Sequence, residues 1–207
     1  MDKVEKAASS FVDISKLNLT DFRNHSFTSI ETDKKFVAFV GRNGSGKTNV
    51  IEAISMFSSG KGLRGAQLSE QSNIKGNGGW SIFMEVKTAK GITKLGTGIG
   101  SSQMMEGKAR QCRVDGKFLK SSREFTNHVG IIWLTPQMDR LFIGQRTDRR
   151  KFFDKLVCLI EPSHEKNIKD YDRLIMQRNR VLVDMDDKKS WLDKIEKQIS
   201  KIAANIL

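Results

Sequence analysis

Apolar and polar positions alternate loosely over FVDISKLNLTDF (11–22), with Phe11, Leu17, Leu19 and Phe22 set among polar residues, which predicts a half-exposed strand. A second extended piece, HSFTSIE (25–31), follows a short connection. KKFVAFVG (34–41) runs from Phe36 to Val40 without a polar break, the pattern of a strand covered on both faces. Past a glycine-rich stretch, Val50, Ile51, Ile54 and Phe57 recur at helical spacing. Gly, Ser, Asn and Gln dominate from Ser58 to Gly79, so a long functional or mobile loop is expected there.

The middle of the chain reads as antiparallel β. WSIFMEVK (80–87) and GITKLGTG (91–98) form one hairpin, and RQCRV (110–114) and KFL (117–119) form another across Asp115-Gly116. Ser121 and Glu124 have capping-box spacing for a short helix, and IIWLT (131–135) returns to a buried strand. After Pro136 the pattern becomes helical over 146–160, 164–185 and 188–207. Apolar stripes pass through Phe152, Leu156 and Leu159, then Tyr171, Leu174, Ile175 and Leu182. The expected organisation is a β-rich head, 1–140, followed by a helical arm, 141–207.

Composition narrows the function classes. The 207 residues are 38% hydrophobic and 29% charged with two prolines, which suits a folded core. Lys+Arg at 36 against Asp+Glu at 24 gives a net charge of +12, which points to a polyanionic partner or to a generally basic, solvated surface. Cys112 and Cys158 are too far apart for a metal motif and read as buried small residues in a reducing compartment. A charged start and the lack of a long apolar run point to a cytosolic protein with no membrane segment. His25, His128 and His164 have no metal-ligand spacing and read as surface or turn residues, while Trp80, Trp133 and Trp191 read as packing residues.

The candidate chemistry lies between the predicted strand and helix. Gly41-Arg42-Asn43-Gly44-Ser45-Gly46-Lys47-Thr48 fits GxxxxGK[ST] at every fixed position. The glycines let backbone amides approach phosphate oxygens. Lys47 supplies a point charge for the β/γ-phosphates, Thr48 a hydroxyl for Mg²⁺, and the helix start its positive dipole end. The loop alone does not separate a kinase, a GTPase and an ATP-driven switch.

Four ordered stretches carry a resemblance: LNLTDFRNHSF (17–27), GRNGSGKTNVIEAI (41–54), LTPQMDRLFIGQRTDRRKFFDKLV (134–157) and YDRLIMQRNRVL (171–182). Together they resemble the RecF family of bacterial recombination mediators, with Phe153 standing where the family commonly has Leu. The resemblance implies an α/β fold: a P-loop NTPase head of the ABC type, with a mixed β-rich lobe around the phosphate loop, followed by an α-helical arm. It implies ATP and Mg²⁺ as cofactors, a nucleotide site spanning residues 41–48 with Asn49, Arg23 and Asn24, and Gln137 as a second metal contact. For Arg23 and Asn24 an ordinary β-turn is the alternative, and for Gln137 a polar surface turn. It further implies an ATP-dependent homodimer that closes on double-stranded DNA at gaps, with RecO and RecR as partners. The outcome would be RecA loading in DNA repair, replication and the SOS response.

ABC heads also need an acidic strand end and a signature segment, and no apolar run here ends in Asp-Asp or Asp-Glu. The expectation is therefore a chain cut short, binding nucleotide weakly and hydrolysing it poorly or not at all. Candidate DNA contacts are Lys61 and Arg64 in the loop, and Arg149 and Arg150 at the start of the first arm helix. For the arginine pair, ion pairs with Asp148 and Asp154 are favoured over DNA contact. The alternatives are a small P-loop phosphotransferase, which would need a base and an acidic strand end, or an inactive remnant.

Overall fold

The computed structural model describes residues 12–88, 91–101, 110–161, 163–184 and 189–206. Phe11 and the acidic run Met185–Asp187 lie outside them. The chain divides between Trp133 and Leu134 into two compact units.

The first unit is built on β1 (Asp13–Phe22), β2 (His25–Glu31), β3 (Trp80–Thr88), β4 (Gly91–Ile99), β5 (Gln111–Val114) and β6 (Lys117–Phe118). They make one antiparallel sheet in the order β2-β1-β3-β4-β5-β6. Burial alternates along β3, so Trp80, Ile82, Met84 and Val86 face inward. The predicted hairpins form as read, with Trp80 opposite Ile99 and Arg113 opposite Phe118. Asp115 and Gly116 both hold left-handed backbone, φ 49° and 81°, as a two-residue hairpin of the primed kind demands.

The helix α1 (Lys47–Ser55) covers the inner face of the sheet through Val50 and Ala53, followed by Met56 and Phe57. Phe22 stacks edge-on to Trp80 at 5.3 Å, and Phe57 to Phe125 at 5.2 Å. Phe125 belongs to a 3₁₀ turn, Ser122–Asn127, whose Glu124 carboxylate accepts from the Lys120 and Ser121 amides as a capping box would place it.

Two predicted buried strands are absent as strands. Residues 34–41 carry no ladder bonds, and Phe36 and Val40 are each 94% exposed, with only Phe39 packed on the core. In 131–135, Ile131, Trp133 and Thr135 are half-buried while Ile132 and Leu134 are exposed. An apolar run specifies that a segment is to be covered but not by what. A strand also needs a neighbour for its N–H and C=O groups, and none of the described strands pairs with either segment.

The second unit comprises α2 (Arg146–Ile160), α3 (His164–Asp184) and α4 (Lys189–Ile206), close to the predicted spans. α3 and α4 pair along Leu174, Val181 and Ile195, with Leu192, Ile199 and Ile202 flanking. The seven-residue steps 174–181, 192–199 and 195–202 are those of a coiled-coil seam. Arg178 Nε donates to Glu196 Oε1 across it at 2.7 Å. The stripe predicted on α2 is only partly covered: Phe152 and Leu156 are half-buried and Leu159 is exposed. Leu182 and Trp191, read as packing residues, are likewise about half exposed.

Cys112 is buried as expected, but Cys158 is only half-buried. His164 departs from its surface reading, being buried with Nε2 3.2 Å from Asp154 Oδ1. His164 is the first residue of α3, and its partner Asp154 lies ten residues earlier on α2.

Candidate nucleotide-binding site

The segment 41–48 folds as a turn leading straight into α1. Its two central glycines hold left-handed backbone, Gly44 at φ 82° and Gly46 at φ 99°. At Gly46 a second constraint applies, because a Cβ there would stand 2.5 Å from His25 Nε2 and 2.7 Å from Asn24 Oδ1. Only glycine satisfies both the dihedral and the space. The first helical bonds run from the Asn49 and Val50 amides to Gly46 O at 2.9 and 3.1 Å. The amides of Lys47 and Thr48 therefore precede the ladder and are the donors that a helix start offers an anion.

Lys47 Nζ donates to the carbonyls of Gly41 at 2.7 Å and Arg42 at 2.8 Å. An ammonium has three donors, so these bonds fix it over the loop with one N–H left for a phosphate oxygen. Thr48 is exposed on the first turn, and Arg42, Asn43 and Ser45 are exposed or half-exposed around the loop. The Ser45 amide closes the turn on Arg42 O at 3.2 Å.

The β1–β2 turn grips this loop. Asn24 Nδ2 donates to Gly44 O at 3.4 Å, and Asn49 Nδ2 donates to Asn24 Oδ1 at 2.8 Å. His25 Nε2 lies 3.2 Å from Gly46 O, with Nδ1 held 2.8 Å from Thr28 Oγ1. The sequence reads His25 as an ordinary turn residue; its part in holding the phosphate loop depends on a contact with Gly46, 21 residues away along the chain, which no local pattern reveals.

Arg23, at φ 56°, turns its guanidinium onto Glu52. Nη2 reaches Oε1 at 2.6 Å and Nε reaches Oε2 at 3.0 Å, a two-point grip, while Nη1 donates to Glu70 O at 2.9 Å. Arg64 Nη1 adds a third bond to Glu52, 2.8 Å to Oε2. Glu52 is 0% exposed, and sequence reasoning missed it because a carboxylate on a helix is normally a solvated position.

Lys61 is exposed. Arg64 Nη1 bonds Glu52 and Asn49 while its side chain stays 43% exposed. The loop carrying both residues is tied down: the Leu63 amide donates to Ser55 Oγ at 2.7 Å, and Arg110 Nη1 donates to Gly60 O at 2.9 Å. In the second unit, Arg149 Nη1 donates to the carbonyls of Phe142 and Gly144 at 3.1 and 2.9 Å, so it holds a turn instead of pairing with an acid. Arg150 Nε lies 3.6 Å from Asp154 Oδ2, the expected i,i+4 pair. Gln137 sits in the 3₁₀ turn Pro136–Arg140 and lines a cavity of about 360 Å³ with Asp148, Lys151 and Lys155. Among the described residues no group of three or more His, Cys, Asp or Glu is gathered to hold a metal ion.

A glycine-rich turn before an amphipathic helix, with an ammonium over the turn and a hydroxyl on the first helical residues, defines a P-loop nucleotide-binding head. The chain belongs to the AAA ATPase domain family, whose model matches residues 13–206, and corresponds to the N-terminal ATPase portion of RecF-like proteins. It is 40% identical over 197 residues to the DNA replication and repair protein RecF of Agrobacterium fabrum, covering 94% of this chain and 52% of that protein. It is 39% identical over 191 residues to the RecF of Rhizobium leguminosarum bv. trifolii, covering 92% and 50%. The chain thus spans about half the length of the curated relatives it matches. A solved structure of the recombination mediator protein RecF with ATP shares its fold, with a TM-score of 0.76 at 21% identity over 94% of this chain and 52% of that one. The fold is therefore that of a P-loop ATPase head.

Proposed function

We propose that the chain is a RecF-like ATP-binding head that acts on double-stranded DNA at gaps, with RecO and RecR as partners and RecA loading as the outcome in repair, replication and the SOS response. The observation that carries this reading is the phosphate loop itself, with Lys47 poised over the Gly41 and Arg42 carbonyls, on a chain about 40% identical to named RecF proteins. The fold match to a RecF–ATP complex supports ATP as the nucleotide. The nucleotide contacts of this reading are Gly41 to Asn49, with Asn24 and Arg23 behind the loop.

Thr48 fits Mg²⁺ as a hydroxyl ligand, with the remaining positions left to phosphate and water. Bound there, the ion would neutralise charge on the β- and γ-phosphates. Glu52, the carboxylate on α1, is committed to Arg23 and Arg64, so it does not serve that ion. Hydrolysis by these residues alone is accordingly proposed to be slow, with turnover belonging to an ATP-dependent homodimer. The basic balance of the chain supports a DNA partner, with exposed Lys61 the first contact proposed and Arg150 a second. No described helix is long and apolar enough to cross a membrane; a cytoplasmic location is part of the same proposal.

The test is a titration with ribose-labelled fluorescent ATP and Mg²⁺, followed by anisotropy of a labelled gapped duplex. Binding by the wild-type chain that Lys47→Ala abolishes, and tighter duplex binding with ATP than without, support the reading. Undiminished nucleotide binding by Lys47→Ala refutes the site.

A further inference from the structure

A carboxylate withdrawn completely from water is costly unless its charge is met, and Glu52 at 0% exposure is met twice. Arg23 takes both oxygens, which would already balance the charge. The second arginine needs another explanation. Arg64 Nη1 divides its two hydrogens between Glu52 Oε2 at 2.8 Å and Asn49 Oδ1 at 2.9 Å. Asn49 passes a bond to Asn24 Oδ1 at 2.8 Å, and Asn24 passes one to Gly44 O at 3.4 Å. An unbroken hydrogen-bonded path therefore runs from the buried carboxylate through the loop after α1 to the middle of the phosphate loop.

We propose that Arg64, anchored on Glu52, is a positioning residue for the phosphate loop, acting through Asn49 and Asn24 on the carbonyl of Gly44. The peptide unit is rigid and planar, so a bond that fixes the Gly44 carbonyl also fixes the amide on its far side and the dihedrals that aim its neighbours. Each asparagine amide has one orientation that donates forward and accepts behind; Arg64, a donor only, dictates which. With Arg64 removed, Asn49 loses the partner that sets its flip, and the aim of the loop amides becomes one of several states. This rests on reading residues 41–48 as a phosphate cradle.

The experiment is a double-mutant cycle on the full chain with ribose-labelled fluorescent ATP. Arg64→Ala and Asn49→Ala are each expected to weaken binding about tenfold, the loss typical of one hydrogen bond to a charged group, and the double variant no further than either single one. Arg64→Lys should recover binding to within about threefold, because a single nitrogen serves both acceptors and an ammonium can do the same. Asn49 is half-exposed and leaves the Glu52 pairs intact, but it is itself among the proposed nucleotide contacts, so the relay is read from the non-additivity of the cycle and, where Arg64→Ala folds poorly, from the Arg64→Lys variant. Wild-type affinity in Arg64→Ala, or losses that add in the double variant, would overturn the relay while leaving the nucleotide site standing. No binding by the wild-type chain would overturn both.

Discussion

Gly46 and His25 approach so closely that a single added carbon on the glycine would stand 2.5 Å from the ring Nε2. The contact joins the phosphate loop to the β1–β2 turn, and it separates Gly46 from Gly44, where φ is also positive but nothing lies within 4 Å of an added Cβ. Gly44→Ala should cost about 1 kcal/mol, the strain of a left-handed non-glycine residue alone. Gly46→Ala meets that strain plus overpacking and should cost roughly 3 kcal/mol. Urea unfolding of the two variants measures the difference; equal costs would show that the turn yields.

Arg110 closes the far end of α1. It donates to the carbonyls of Met56 and Gly60 and to Thr97 Oγ1, linking the helix end to β4, and burial holds its guanidinium below the usual arginine range. Arg110→Met keeps the stem and removes every donor, leaving the part-buried Met56 carbonyl at the helix end and the exposed Gly60 carbonyl without these bonds. A loss of about 2 kcal/mol is expected in denaturant unfolding. A neutral result would mean that water satisfies those carbonyls.

How much of this was legible in the sequence differs between elements for physical reasons. Hairpins and helices show because their signals are local: Asp115-Gly116 demands its turn, and the 3.6-residue stripes of the arm need no distant information. The phosphate loop shows because its glycines, lysine and threonine are contiguous. Glu52, His25 and Arg64 do not show, since their roles exist only once β1, β2 and the loop after α1 converge on one point. Phe36 to Val40 gave the opposite error: the apolar run was plain, but its pairing partner is a long-range property.

In Cys158 the thiol is pushed up by burial first, with Glu165 and Asp154 adding repulsion of the thiolate. A raised thiol pKa means less thiolate at any given pH. Alkylation by iodoacetamide should therefore be slower at Cys158 than at a free cysteine, with the half-maximal rate moved to higher pH. Mass spectrometry of the modified peptide across pH 7 to 10 measures it. Reaction at the free-thiol rate would contradict the burial seen between α2 and α3.

The arm hairpin should be sensitive to its seam and indifferent to its ion pair. Ile195 is 6% exposed between Leu174 and Val181, so Ile195→Ala leaves a cavity and should cost about 2 to 4 kcal/mol. Arg178 and Glu196 meet at 2.7 Å with side chains 36% and 48% exposed, where solvent and salt screen the pair. Arg178→Ala should therefore cost less than about 1 kcal/mol. Circular dichroism at 222 nm during urea unfolding distinguishes them, because α3 and α4 carry much of the helical signal. A large loss in Arg178→Ala with a small one in Ile195→Ala would place the stabilisation in charge and not in packing.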